Sequence, residues 1–99
     1  NSNSIQVESI SLKKILDMND IQKCNLLKLD CEGSEYEIIE SLPENYFEKI
    51  DKVIIEYHFA KKYPELFTKL VKKLELVSFS VNIKKMDENM GIIFALKNI

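Results

Sequence analysis

The chain has 99 residues, of which 45% are hydrophobic and 30% charged, a composition typical of one folded domain with a modest core. Its 14 basic residues, all of them lysine, and its 16 acidic residues give a net charge of −2, which argues against nucleic-acid binding. Its apolar runs are too short for a membrane span and its two cysteines too few for a disulfide framework, so we expect a cytoplasmic protein with reduced thiols.

An extended segment and a short helix are predicted at the start. Residues 1–10 are polar with three separated apolar residues, which indicates an extended lead-in, and this start is not typical of a signal peptide. Over residues 12–18 the apolar side chains recur at a spacing of three and four. This spacing predicts an amphipathic helix, with Ser11 available as its N-cap.

A strand, a tight turn and a helix are predicted next. The run 25–31 (NLLKLDC) is largely apolar, which is typical of a parallel strand buried on both faces. Gly33 follows it and suits a tight turn, because glycine adopts dihedral angles that other residues avoid. Ser34 and Glu37 have the spacing of a capping box at a helix start, and Pro43 ends that helix.

The second half of the sequence predicts one more strand, a long helix and a hairpin. Residues 52–57 form an apolar run typical of a strand, and leucines at every fourth position after Pro64 predict a helix. Apolar and polar residues alternate over 77–83, which indicates an edge strand with one face in water. Residues 92–96 are apolar throughout, which indicates an interior strand that closes an antiparallel hairpin.

Chemistry-bearing side chains gather at the predicted carboxyl ends of two strands. The order of elements predicts one α/β unit over residues 1–99, with parallel strands, connecting helices and the C-terminal hairpin. In open sheets of this kind, ligands bind beyond the carboxyl ends of the strands. Asp30 and Glu32 follow the first strand, and Glu56 and His58 end the second, so we expect them around one crevice.

These residues also have structural explanations. Lys28 lies two residues before Asp30, so it would either form an ion pair with it inside a buried strand or extend its amine to the surface. Histidine titrates near neutral pH, which suits a general base, but a lone histidine such as His58 more often only makes hydrogen bonds. The carboxylates and the imidazole have no recognised metal-ligand spacing, so the sequence predicts no metal site.

The stretch NLLKLDCEGSEYEII, residues 25–39, resembles the signature of FkbM-type S-adenosylmethionine-dependent methyltransferases. The Lys, Asp, Glu, Gly, small residue and Glu of that signature fall on Lys28, Asp30, Glu32, Gly33, Ser34 and Glu35. The segment VIIEYH, residues 53–58, resembles the family's next strand.

The resemblance implies a class I methyltransferase fold, in which a Rossmann-like sheet ends in an antiparallel hairpin. The chain would then be the C-terminal half of the domain, without the glycine-rich cofactor loop, and inactive by itself. By resemblance, Asp30 and Glu32 lie beside the methionine part of S-adenosylmethionine and the methyl acceptor. Asp30 would orient the acceptor, Glu32 would supply negative charge, and His58 would accept a proton.

The implied reaction is methyl transfer to a hydroxyl oxygen of a small molecule or sugar. One alternative is a non-catalytic α/β interaction module that keeps the fold, and another is a metal-dependent hydrolase that uses the carboxylates. If strand 26–31 has lost a neighbouring strand, its bare edge predicts self-association. We expect neither a nucleic acid nor a membrane as partner.

Overall fold

The computed structural model describes residues 4–7, 12–30 and 33–98, which form a mixed five-stranded sheet and its helices. In chain order the elements are β1 (Ser4–Val7), α1 (Leu12–Met18), β2 (Leu26–Leu29), α2 (Glu35–Ser41), a 3-10 helix (Glu44–Lys49), β3 (Lys52–Tyr57), α3 (Pro64–Leu76), β4 (Phe79–Lys85) and β5 (Gly91–Lys97). The strand order is β1-β2-β3-β5-β4, with β1, β2 and β3 parallel and the other pairings antiparallel. The predicted α/β architecture with a C-terminal antiparallel hairpin is therefore confirmed.

The element bounds agree closely with the sequence patterns. β3 has the predicted limits, β5 lies inside the sheet, and β4 forms its edge. β4 begins two residues later than predicted, because Val77 and Ser78 still donate backbone hydrogen bonds to carbonyls of α3. The predicted N-cap, Ser11, lies outside the described residues.

α3 spans 13 residues and begins at Pro64, where a proline loses no helical hydrogen bond. Its buried residues are Leu70 and Leu74, so the predicted leucine stripe faces the core. Within the described ranges, neither this helix nor a shorter one has the length and apolar character of a membrane span.

The core lies on one face of the sheet. Alternate residues of β2 differ in burial, since Leu27 and Leu29 are buried whereas Lys28 is exposed. Side chains from all three helices share one core cluster with the buried strand residues. Successive neighbouring parallel strands with right-handed crossovers place their helices on the same face. The prediction that β2 is buried on both faces is therefore wrong for the described residues.

The opposite face of the sheet, here called the open face, presents apolar side chains. Phe94 is 43% exposed and Leu96 is 55% exposed. Together with Leu26 and Ile54 they line a groove of about 480 Å³. No helix within the described part of the chain packs over this face, which explains why these side chains meet water.

β1 covers the edge of β2 that the sequence analysis expected to be bare. Its four residues pair with β2 in parallel register, from Ser4 opposite Leu26 to Val7 opposite Leu29. The expected bare edge of β2 is thus wrong, because the start of the chain itself occupies it. Self-association of the chain stays a prediction, but a bare edge of β2 no longer supports it.

A pair of leucine truncations tests this one-sided core. Leu27 is fully buried, and Leu27→Ala should lower the free energy of unfolding by about 2–5 kcal/mol because it leaves a cavity. Leu96→Ala is the matched control on the open face and should cost less than about 1 kcal/mol. Urea unfolding followed by circular dichroism measures both. Equal losses would contradict the open face, since they would show that Leu96 is buried in solution.

Candidate active site at the strand ends

Three predicted site residues meet at one edge of the sheet. β2 and β3 pair in parallel, so the residue after β2 and the residues that end β3 lie at the same edge. One potential ligand atom each of Asp30, Glu56 and His58 lies within 4.8 Å of the others. The predicted convergence of these three side chains is confirmed. Glu32, the fourth predicted member, lies outside the described residues.

A buried carboxylate fixes the two chain segments that carry this cluster. Glu35 is the first residue of α2 and is fully buried. The backbone N–H of Gly33 donates to its Oε1 at 2.8 Å, and the backbone N–H of His58 donates to its Oε2 at 2.8 Å. A carboxylate needs such donors in a water-free interior, because removing its charge from water is costly. Glu35 therefore ties the turn after β2 to the end of β3.

His58 is held with one ring nitrogen toward the cluster. Its side chain is about nine-tenths buried, and Nδ1 lies 3.4 Å from Oε2 of Glu35. Because a carboxylate oxygen accepts hydrogen bonds, this contact favours a proton on Nδ1 and leaves the lone pair on Nε2. Nε2 lies 4.0 Å from Oε1 of Glu56, which is too far for a hydrogen bond. The hydroxyl of Tyr36 donates to the carbonyl of His58 at 2.5 Å and anchors its backbone.

The turn between β2 and α2 depends on Gly33. Its φ is +100°, a backbone conformation that residues with a Cβ rarely adopt, so the predicted structural role of this glycine is confirmed. A Cβ at this position would lie 3.3 Å from the ring of Phe59. Phe59 directly follows His58 and has a φ of 59°. Its ring thus covers the turn from the side of β3.

Ser34 is the N-cap residue of α2, as predicted, but the predicted capping box is not formed. Within the described residues, Ser34 makes no side-chain cap hydrogen bond. Glu35, rather than Glu37, accepts a backbone N–H at the helix start. The sequence analysis missed this role of Glu35, although a signal was present. Residues 35, 38, 39 and 42 have helical spacing and all face the core, so a glutamate at the first of them must be buried.

Of the two structural roles considered for Lys28, the ion pair with Asp30 is wrong and the surface position is found. Lys28 is exposed on the open face, where water solvates its charge, and no ion pair of the described residues joins it to Asp30. The lysine–carboxylate pairs in the described ranges lie elsewhere and are Lys13–Asp17, Lys23–Asp51 and Lys61–Glu88. Asp30 and Glu56 therefore approach each other without a lysine between them.

Cys24 is not part of the candidate site. Cys24 is buried, and burial raises the pKa of its thiol, which keeps it protonated and unreactive. Its predicted structural role is in line with this burial. Cys31 lies outside the described residues.

Two grooves of the described part of the molecule do not coincide with the polar cluster. One is the open-face groove of about 480 Å³, and another of about 320 Å³ lies between α2 and α3. Asp30, Glu56 and His58 line neither of them. The groove between α2 and α3 also has charged side chains, among them Glu37, Glu40 and Lys69. The strand ends differ from it because they combine two carboxylates with the imidazole of His58.

The chain thus has the architecture of an open α/β sheet, a class of folds in which ligands bind beyond the carboxyl ends of parallel strands, and its carboxylates and histidine meet at that edge. The family model for the methyltransferase FkbM domain matches residues 1–87, so the chain belongs to this family. The resemblance seen at residues 25–39 and 53–58 is thus confirmed.

One curated relative is the hexuronic acid methyltransferase AglP of Haloferax volcanii. It is 29% identical over 86 residues, which are 87% of this chain and 34% of that protein. The chain therefore spans about a third of the length of this relative. No solved structure matches the chain.

Alkaline unfolding tests the contact between Tyr36 and the site. Burial, together with the neighbouring Glu35 and Tyr57, raises the pKa of Tyr36 from 10.0 to about 12. Its neutral form is favoured by folding, so this stabilisation is complete below pH 10 and is lost as the pH rises to about 12. We expect Tyr36→Phe to flatten the fall in the free energy of unfolding over this range.

The matched control is Tyr63→Phe, since Tyr63 is 42% exposed. This variant should keep the pH dependence of the unmodified protein, including the contribution of the lysines. Urea unfolding at several pH values between 9 and 12 measures all three proteins. Identical slopes for the three would contradict the buried position of the Tyr36 hydroxyl.

Proposed function

We propose that this chain is part of an S-adenosylmethionine-dependent methyltransferase that transfers a methyl group to a hydroxyl oxygen of a small molecule or sugar. Membership of the FkbM family supports methyl transfer in general. The observation that carries the finer proposal is the meeting of Asp30, Glu56 and His58 at the strand ends, with His58 oriented by Glu35. The name of the relative AglP supports an acceptor of the sugar-acid type.

The residues of the chain fit one part of this cofactor. The carboxylates of Asp30 and Glu56 are partly exposed and suit a positively charged sulfonium group, and by resemblance Glu32 adds a third. The chain has only two glycines, far apart at positions 33 and 91, and hence no glycine-rich loop for the rest of the cofactor. We propose that the five strands belong to a larger Rossmann-like sheet whose other half supplies that loop.

Asp30, His58 and Glu35 have different roles toward the methyl acceptor. When bound, S-adenosylmethionine supplies a methyl group on a positively charged sulfur. Asp30 accepts a hydrogen bond from the acceptor hydroxyl and aligns its oxygen, which is the main requirement of such a transfer. Nε2 of His58 takes the hydroxyl proton as the oxygen becomes the nucleophile. Glu35, which faces Nδ1, stabilises the resulting imidazolium.

Substitutions at the cluster test this proposal in the complete polypeptide. His58→Gln removes the proton acceptor and should lower kcat by about 10²-fold or more. Asp30→Asn keeps the shape of the side chain but loses its charge, and should lower kcat as well. Transfer of radiolabelled methyl groups to uronic acids and to neutral sugars measures the rate.

The matched control is Glu65→Gln, a loss of one negative charge at an exposed position on α3. It should leave kcat unchanged. Unaltered turnover in Asp30→Asn would contradict the proposed site. Absence of transfer in the unsubstituted protein to any acceptor, with cofactor bound, would favour the non-catalytic interaction module.

The proposal that another half of the domain holds most of the cofactor leads to a separate prediction. The 99-residue chain alone should bind S-adenosylhomocysteine too weakly to detect at micromolar concentration, because it lacks the glycine-rich loop. Isothermal titration calorimetry measures this directly. Micromolar affinity of the chain would contradict the proposal that the cofactor is held mainly by the other half of the domain.

A further inference from the structure

We propose that Asp30, Glu56 and His58 form a binding site for one divalent metal ion, with Glu35 as a positioning residue behind the histidine. The sequence spacing of these residues predicts no metal site. The fold brings them together from two strands, and three independent features of the cluster support a cation there.

The first feature is the geometry of the donor atoms. One carboxylate oxygen from Asp30, one from Glu56 and one ring nitrogen of His58 lie within 4.8 Å of one another. Ligand atoms that share a cation at about 2.1 Å lie roughly 3–4.2 Å apart. The two carboxylates are only partly buried, so a bound cation could draw their oxygens to this separation.

The second feature is the state of His58. The side chain is about nine-tenths buried, and its Nδ1 faces the fully buried carboxylate of Glu35 at 3.4 Å. Its Nε2 lies on the side of Glu56 and has no hydrogen-bond partner among the residues that the structure describes. Metal-ligating histidines have this arrangement, in which a carboxylate orients the ring through the other nitrogen.

The third feature is uncompensated negative charge. Asp30 and Glu56 approach each other, yet in the described ranges no lysine amine lies within 4 Å of either carboxylate. Lys28, the nearest lysine in sequence, is exposed to water on the open face. A structural ion-pair cluster would place a basic side chain between the two carboxylates, whereas a cation-binding site leaves that place open.

The donor set indicates which ion fits. Two carboxylates and one imidazole suit Mn²⁺ or Zn²⁺ better than Mg²⁺, which prefers oxygen ligands alone. Three protein ligands leave at least one position for water or for an oxygen of a ligand. If the methyl-transfer proposal holds, an ion bound to Nε2 prevents His58 from accepting the proton of the acceptor, so the metal-bound protein is the inactive form.

Direct metal binding tests the proposal. The untagged protein has one histidine, His58, so its imidazole nitrogens give a single pair of signals in ¹⁵N NMR. We expect Zn²⁺ to shift the Nε2 signal, and Mn²⁺ titration followed by electron paramagnetic resonance to give one bound ion per chain. Asp30→Asn and His58→Gln should each weaken Mn²⁺ binding at least tenfold, whereas the control Glu65→Gln should leave it unchanged.

Glu35→Gln tests the positioning role, with circular dichroism as a check of folding. Loss of the charge behind the ring should move the Nδ1 signal and weaken Mn²⁺ binding, although all three ligands are still present. The proposal would be overturned by the absence of binding at millimolar Mn²⁺ and Zn²⁺, or by equal affinity in Asp30→Asn and the unsubstituted protein. Neither cofactor nor acceptor is present in these measurements, so their failure is distinct from a failure of methyl transfer.

Discussion

A single buried side chain joins the two segments on which the candidate site is built. Glu35 accepts one backbone hydrogen bond from Gly33 and one from His58, each at 2.8 Å. Because these donors belong to the chain just beyond two neighbouring strands, Glu35 sets the distance between those segments. Removing its carboxylate would leave the buried N–H of His58 and the partly buried N–H of Gly33 without their partner, which is costly. The orientation of the imidazole depends on this same carboxylate.

The secondary structure could be predicted because each element has a clear pattern of its own. The leucine stripe of α3, the apolar run of β3 and the alternation of β4 each reflect how one element packs. The number of layers over the sheet could not be predicted in this way, since an apolar run does not tell whether one or two faces are covered. The structure decides it, since Lys28 in the middle of β2 is exposed on the uncovered face.

The candidate site was predictable in part. Asp30, Glu56 and His58 follow from the rule that parallel strands end at a common edge, which requires only the order of the elements. Glu35 was missed because the spacing of Ser34 and Glu37 suggested a different use of the helix start. Its role depends on contacts between residues 23 positions apart in the chain, which local patterns do not contain.

The open face has a consequence for the strength of the chemistry at its edge. Glu56 lies two residues after Ile54 on β3, so its carboxylate belongs to the same side of the sheet as the uncovered apolar groove. Bulk water on that side gives a high effective dielectric constant, which weakens the pull of the carboxylates on a cation or a hydroxyl. A protein layer that covered Phe94 and Leu96 would exclude water from this side of the sheet. The attraction of the carboxylates for a cation or a hydroxyl would then become stronger, although no residue of the candidate site had changed.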